Sequence, residues 1–174
     1  QHLRRRYGLM LSAIVRALAA NWTTLSAAML ATIVITLKGF FGALFAAIAT
    51  AILFSQSRLA ERALYPYAVI LQVTPMVAVA PLILIWVGFD RVDLALSLIA
   101  GMIAFFPILS NAAQGLKSAD FNLIDLTRLY GATRWQTLRR VQIPSALPSL
   151  LTGMKSGGVI ALIGEVTAEF AAGS

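Results

Sequence analysis

Long stretches without a charged side chain are the feature that most constrains this chain. Residues 17–37, 39–57, 63–89 and 94–116 contain no Asp, Glu, Lys or Arg, and residues 141–164 contain only Lys155. A helix needs about 20 apolar residues to cross about 30 Å of hydrocarbon. Each of these stretches is about that long or longer, which is improbable for core helices of a soluble protein. The sequence therefore predicts an integral membrane protein.

The spans are predicted to be helices and not the strands of a barrel. Barrel strands alternate apolar and polar residues over about ten positions, whereas residues 78–87 (AVAPLILIWV) are apolar throughout. The predicted fold class is therefore all-α, a polytopic membrane helix bundle forming a single transmembrane domain. The predicted spans are approximately residues 33–54, 67–88, 94–115 and 146–168.

Composition excludes several other classes. The 174 residues are 59% hydrophobic and 12% charged, with no Cys, whereas a soluble domain is about 25% charged. Disordered chains, coiled coils and disulfide-built secreted domains are excluded. The net charge of +7 could serve a nucleic-acid ligand, but the positions of the charges fit membrane topology instead.

The distribution of Lys and Arg predicts the orientation. Residues 114–142 carry five of these side chains and are placed in the cytoplasm. Residues 89–93 then face outward and residues 55–66 inward. Glu165 and Glu169 fall at the outer end of the last span, one helical turn apart. Like charges at that spacing repel, so both carboxylates are expected in water at headgroup level.

Residues 1–26 leave three interpretations open. A basic start, a short apolar stretch and small residues at 17–19 are similar to a secretory signal peptide. Alternatively, Tyr7–Leu25 is a marginal span with Arg16 near mid-depth. The third possibility is an interfacial amphipathic helix with Arg16 directed at headgroups.

Polar groups and prolines interrupt the spans. Pro75 and Pro81 each remove an intrahelical hydrogen bond, and Gln72 and Thr74 lie beside the first break. The second span is either a kinked packing helix or part of a solute path. Pro107 with Asn111 repeats the pattern in the third span. Lys38 and Lys155 interrupt apolar stretches, where they either serve transport or reach the interface.

Small residues predict where helices approach closely. Gly153 and Gly157 form a small-xxx-small pair in the last span, an arrangement that lets two helix backbones touch.

The basic segment 117–144 predicts two short amphipathic helices. Asp120 is the expected N-cap of the first, and Gly131 is the expected residue after its C-cap. Thr133 and Gln136 form a capping box for the second. Their apolar stripes make either a docking surface or an elbow on the membrane surface. The stripe residues are Leu123, Leu126 and Tyr130 in the first helix and Trp135, Leu138 and Val141 in the second.

This segment resembles the cytoplasmic loop signature of ABC-importer permeases, E-A-A-x3-G-x9-I-x-L-P. The chain reads D-L-T from Asp125, then Gly131, Val141, Ile143 and Pro144 at the signature's spacing. Gly131 and Pro144 match outright, while the three-residue head departs from it. Other segments, such as RALYPYAVILQVTPMVAVAPLILIWVGF and ALIGEVTAEFAAG, resemble the nitrate/sulfonate/taurine branch, which includes thiamine-precursor and riboflavin permeases.

The resemblance implies a type I ABC-importer permease in the bacterial inner membrane. Such permeases have about six spans, so the chain is expected to lack one span at each end. Two permeases surround the solute path, dock two cytoplasmic ATPases and receive solute from an extracytoplasmic binding protein. ATP and Mg²⁺ are expected in the ATPase, and nucleotide-driven closure would drive alternating access.

The resemblance also assigns candidate residues to two roles. Those expected to couple to the ATPase are Asp125, Thr127, Arg128, Gly131, Ala132, Arg134, Trp135 and Pro144. Those expected to line the translocation path are Gln72, Thr74, Pro75, Asn111, Lys155 and Glu165.

Two other function classes are alternatives to a permease, namely a membrane-embedded enzyme and a scaffolding subunit. A membrane-embedded enzyme needs convergent acid–base or metal ligands, but the only His is His2 and no nucleotide-binding G-x-x-x-x-G-K-[ST] loop occurs. No catalytic residue, bound cofactor or metal is therefore expected in this chain. The alternative is a scaffolding membrane subunit that docks a cytoplasmic partner without translocating solute.

Overall fold

The computed structural model describes residues 19–74 and 76–172, and no strand occurs among them. The predicted all-α class is confirmed. The longer helices are α1 (Trp22–Gln56), α2 (Arg58–Val73), α3 (Met76–Val87), α4 (Val92–Lys117), α5 (Phe121–Leu129), α6 (Arg134–Thr137) and α7 (Ile143–Ala172). A 3-10 turn, Phe89–Arg91, precedes α4, and a π-helical turn, Leu138–Gln142, joins α6 to α7.

The chain divides between Val34 and Ile35 into two compact units. Within the first unit, the described residues 19–34 are helical except for a turn at Asn21. The second unit holds everything from Ile35 onward. The interpretations left open for residues 1–26 fall mostly on residues outside the described part of the chain.

Three helical stretches of the described chain are long and apolar enough to cross a membrane, namely Trp22–Gln56, Phe89–Lys117 and Arg134–Phe170. The sharply bent pair Arg58–Val73 and Ala78–Val87 would make a fourth, broken span. The helical region here begins at Arg58, well before the span expected at 67–88. The reason is local: the Ser57 side chain accepts a hydrogen bond from the Ala60 amide (3.2 Å) and caps α2.

The core of the second unit lies where α4 packs against α1 and α7. Ile99, Ile108 and Leu109 of α4 are fully buried. Ser97 Oγ donates a hydrogen bond to the Ile35 carbonyl on α1 (3.2 Å). A polar link between neighbouring helices helps to hold them together where no water competes.

Glycines set the closest approaches between α4 and α7. A Cβ on Gly153 would lie 2.8 Å from the Asn111 Cβ, and one on Gly157 would lie 3.2 Å from the Ala104 carbonyl oxygen. A Cβ at 2.8 Å from another heavy atom does not fit, and one at 3.2 Å requires its neighbour to move. The two helices therefore approach closely here. The close approach predicted for this glycine pair is confirmed.

Candidate functional site

Helix α5 begins and ends as its sequence predicts. The Asp120 side chain accepts a hydrogen bond from the Asn122 amide (2.8 Å) and caps the first turn. At the other end, Gly131 has a positive φ of 70°. The Gly131 amide bonds the Arg128 carbonyl (2.9 Å) and the Ala132 amide bonds the Thr127 carbonyl (3.0 Å). These two bonds make a Schellman ending, which favours glycine at its left-handed position.

Helix α6 begins with the predicted capping box. The Thr133 hydroxyl accepts from the Gln136 amide (3.3 Å), and the Gln136 side chain accepts from the Thr133 amide (2.8 Å). The Thr127 and Thr137 hydroxyls lie 3.0 Å apart and tie α5 to α6. Short helices such as these are only marginally stable in isolation. Here the two are held together as one bent unit, the α5–α6 loop (residues 118–142), which is also called the elbow below.

The α5–α6 loop exposes an apolar surface. Leu129 is 86% exposed, Tyr130 84% and Trp135 60%. A large apolar surface outside the spans indicates a protein or membrane partner.

The prediction was wrong for one member of the stripes, Leu138. Leu138 was expected on the same exposed stripe as Trp135, but it is fully buried in the core of the bundle. Leu138 lies where the loop joins the bundle, at the start of the π-helical turn, and its apolar side chain packs into the core cluster there. The stripe therefore ends at Trp135, and Leu138 anchors the loop instead.

The charged candidates of the loop lie at its surface. Arg128 pairs with Asp125 across one turn of α5 (3.1 Å), with both side chains exposed. Arg134 donates to the Gln56 carbonyl at the end of α1 (3.4 Å). Pro144 follows the π-helical turn at the start of α7 and contributes no amide proton to the continuous helix there. The loop is therefore joined both to α1 and to α7.

The path candidates do not form one site. Gln72 lines a cavity of about 400 Å³ together with Pro107 and Thr167. Thr74 and Asn111 instead donate to carbonyls of their own helices, Ile70 (2.7 Å) and Pro107 (2.8 Å). Their side chains thereby satisfy local backbone groups.

Two further path candidates remain. Lys155 is exposed on α7. Pro75 lies outside the described residues.

Glu165 corrects an expectation. It was predicted to lie in water at the end of the last span, but its side chain is fully buried (0% exposed). It accepts a hydrogen bond from the Thr36 hydroxyl on α1. The like charge of Glu169 one turn away led to the expectation that both carboxylates lie in water. The packing of α1 on α7 buries the Glu165 side chain instead.

A second cavity, of about 640 Å³, lies between α1 and α4. Lys38 and Asp93 line it along with Ser97 and several apolar side chains. Sequence reasoning noted Lys38 but treated Asp93 only as an outward-facing charge. Nothing in the linear pattern places these two residues at one cavity, because they lie on different helices.

The described helices and the capped loop define a polytopic helix bundle that presents a basic, partly apolar elbow at one end. Residues 39–174 match the family model described as binding-protein-dependent transport system inner membrane component. The chain therefore belongs to this family, the membrane permeases of ABC transporters, and is a membrane protein. The resemblance found in the sequence is confirmed.

Individual relatives fall in the expected branch. The chain is 42% identical over 113 residues to the riboflavin transport system permease protein RibX of Chloroflexus aurantiacus, covering 65% of this chain and 41% of that protein. It is 36% identical over 110 residues to the formylaminopyrimidine transport permease protein ThiX of Halalkalibacterium halodurans, covering 63% and 43%.

A third relative is SsuC of Bacillus subtilis, which is named for aliphatic sulfonates transport. It is 35% identical over 113 residues, covering 65% of this chain and 40% of that protein. The matched region thus spans less than half the length of each of these three relatives.

Proposed function

We propose that this chain supplies a permease subunit of an ATP-driven importer. In this role it forms half of a solute path and couples ATPase closure to alternating access through the α5–α6 loop. Its partners would be a second permease, two cytoplasmic ATPase subunits that bind ATP and Mg²⁺, and an extracytoplasmic solute-binding protein. The solute would be a small organic molecule of the kind named for its relatives.

The observation that carries the proposal is the capped and exposed α5–α6 loop. Its two helices are capped at Asp120, Gly131 and Thr133, and its apolar tip at Leu129 and Tyr130 is exposed. Transmission of a movement requires a rigid element with two discrete positions. The coupling residues in this proposal are Asp125, Thr127, Arg128, Gly131, Ala132, Arg134, Trp135 and Pro144.

The contacts that anchor the α5–α6 loop explain how a movement of the loop would be transmitted to the membrane spans. Leu138 is buried against the bundle and the π-helical turn runs directly into α7. The Arg134 bond to the Gln56 carbonyl joins the loop to α1 as well. A displaced loop would therefore move α7 relative to α1. In the path, Gln72 is the candidate best placed to meet solute, since it lines a cavity between helices.

The test uses Gly131→Val in the full-length permease, reconstituted in proteoliposomes with its ATPase and binding protein. A β-branched residue at φ 70° is strained by about 1–2 kcal/mol, so we expect the elbow to distort. Solute taken up per ATP hydrolysed should fall severalfold. Gly131→Asn should retain most of the coupling because Asn tolerates a left-handed backbone.

Gly88→Val is the matched control. Gly88 also has a positive φ, 93°, but it lies at the opposite end of α4 from the loop. Both glycines have open space where a Cβ would lie, and the Gly88 backbone (φ 93°, ψ 142°) suits a side chain even less than that of Gly131. The control is therefore at least as strained as the test variant but lies away from the loop. Wild-type coupling in Gly131→Val would refute the coupling role. Uptake that never depends on this chain would favour the scaffolding alternative.

A further inference from the structure

A polar cavity of about 610 Å³ lies between the end of α1, the start of α2 and the α5–α6 loop. Arg58, Arg128 and Arg134 line it, and no acidic side chain does. The three arginines come from three different helices. Within the described chain, Arg128 alone of the three pairs with a carboxylate, Asp125, which lies outside the lining. The cavity thus concentrates positive charge.

Backbone groups add to this charge. Ser57 and Arg58, at the N-terminal end of the 16-residue helix α2, line the cavity. The N-terminus of a helix carries a partial positive charge and unpaired amide groups. Guanidinium forks bind two oxygens of a phosphate or carboxylate group at once, and phosphate is the anionic group that membrane lipids carry at the headgroup level. The cavity is therefore suited to a phosphate ester.

A separate apolar groove of about 80 Å³ is lined by residues of α1, α4 and α7. Residues four apart on a helix share a face and lie about 6 Å apart along the axis. On α1, Gln56 lines the polar cavity, and Ile52 and Ile48 of the same row line the groove. Just before α7, Gln142 lines the cavity and the next residue, Ile143, lines the groove, so the two spaces are neighbours along both helices.

We propose that these two neighbouring spaces bind one anionic phospholipid of the adjoining leaflet. Its phosphate occupies the arginine cavity, and the first few methylene groups of one acyl chain occupy the groove. A free phosphate would leave the groove unused, and a zwitterionic lipid would leave the arginine charge without compensation. Both parts lie at the ends of candidate spans, where headgroups meet the protein. The lipid would brace the loop against α1 and α2.

The first test compares Arg58→Gln with Arg62→Gln in the full-length protein. Arg62 lies one turn later on α2, is also exposed and does not line the cavity, so both variants lose the same charge. Native mass spectrometry of protein in detergent, titrated with phosphatidylglycerol or phosphatidylcholine, measures the bound lipid. Arg58→Gln should weaken phosphatidylglycerol binding about tenfold, the effect of losing one charge-assisted hydrogen bond.

Two results of that comparison would overturn the proposal. Equal losses in the Arg58→Gln and Arg62→Gln variants would mean general surface attraction and no site. Equal binding of phosphatidylcholine and phosphatidylglycerol to wild type would mean that the arginines do not select the headgroup. A preference of the wild type for phosphatidylglycerol that is lost in Arg58→Gln and kept in Arg62→Gln would support the proposal.

The second test separates a lipid from a free anion. Leu147 lines the groove, whereas Leu151, one turn later on α7, does not, and both are about half exposed. Leu147→Gln should weaken phosphatidylglycerol severalfold and Leu151→Gln should not. Inorganic phosphate and glycerol phosphate, added at the lipid's concentration, should fail to displace it. Displacement by either, or equal effects of the two leucine variants, would show a free-anion site and refute lipid binding.

Discussion

Thr36 on α1 donates a hydrogen bond to Glu165 on α7, across 129 residues of sequence. Both side chains are buried. The bonded oxygen is Oε2, and Oε1 is buried without a hydrogen-bond partner within the described part of the chain. A polar group in an apolar setting is costly unless it is bonded. The bond therefore fixes how the C-terminal half of α7 lies against α1, and it must break if these two helices separate.

Thr36→Val should destabilise the bundle. Valine keeps the shape of threonine but leaves both Glu165 oxygens buried and unbonded, a loss of about 1–3 kcal/mol. The free energy of unfolding, measured by dodecyl sulfate titration in mixed micelles, checks this. Thr152→Val is the control because Thr152 is exposed and bonds only the Pro148 carbonyl of its own helix. It should change stability by less than about 0.5 kcal/mol.

Glu165→Met extends the same prediction to a double-mutant cycle. When the carboxyl group is also replaced, Thr36→Val no longer strands a Glu165 oxygen, and its cost should fall by about 1 kcal/mol or more. Costs that simply add would show that the Thr36–Glu165 bond contributes nothing specific.

Gly39 and Gly42, one turn apart on α1, should respond oppositely to alanine. A Cβ on Gly39 would collide with the Ser97 carbonyl oxygen on α4, whereas a Cβ on Gly42 meets nothing within 4 Å. Gly39→Ala should cost about 1–3 kcal/mol through overpacking. Gly42→Ala should be neutral or stabilising by up to about 1 kcal/mol, since alanine favours a helix. The same micelle titration decides, and equal effects would contradict the close approach of α1 and α4.

Thr133→Ala should loosen the loop without unfolding the spans. It removes the hydroxyl that accepts from the Gln136 amide, a cap worth about 1 kcal/mol. Hydrogen exchange of peptides covering residues 134–142 should accelerate severalfold, while α4 peptides stay unchanged. Thr133→Ser keeps the hydroxyl and should exchange as wild type does. Equal acceleration throughout the chain would mean that the cap supports the whole fold.

The features that could be predicted from sequence are those fixed by a few neighbouring residues. The caps at Asp120 and Thr133 depend on side chains within three positions of the amides they bond, and the ending at Gly131 depends on one residue that adopts a positive φ. The spans follow from hydrocarbon thickness, which demands about 20 apolar residues whatever the partner. Local chemistry and the bilayer together determine most of the helices.

The features that could not be predicted depend on which helices meet. The polarity of Glu165 is the same whether its side chain faces water or Thr36. Only the packing of α1 on α7 determines which of the two it faces. Leu138 leaves the expected stripe because it packs into the core of the bundle where the loop joins α7. The convergence of Arg58 with Arg128 and Arg134 joins residues far apart in sequence. No periodicity in the chain carries that information.

Lys117, at the end of α4, forms an ion pair with Glu61 in the first turn of α2. Lys117 is largely exposed and Glu61 less so, so water and salt screen the pair. We expect a coupling energy of about 0.2–1 kcal/mol, measured in a cycle of Glu61→Gln and Lys117→Gln. Each single variant should cost somewhat more than the coupling, because Glu61 also lies at a helix N-terminus and Lys117 at a C-terminus.

Raising NaCl from about 0.1 M to about 1 M should abolish most of that coupling energy, since the Debye length falls from about 10 Å to about 3 Å. The Thr36–Glu165 coupling should survive the same change, because salt does not reach a buried hydrogen bond between two spans. If both couplings responded alike to salt, Glu165 would have to be accessible to solvent, and the burial that distinguishes it from Glu61 would be contradicted.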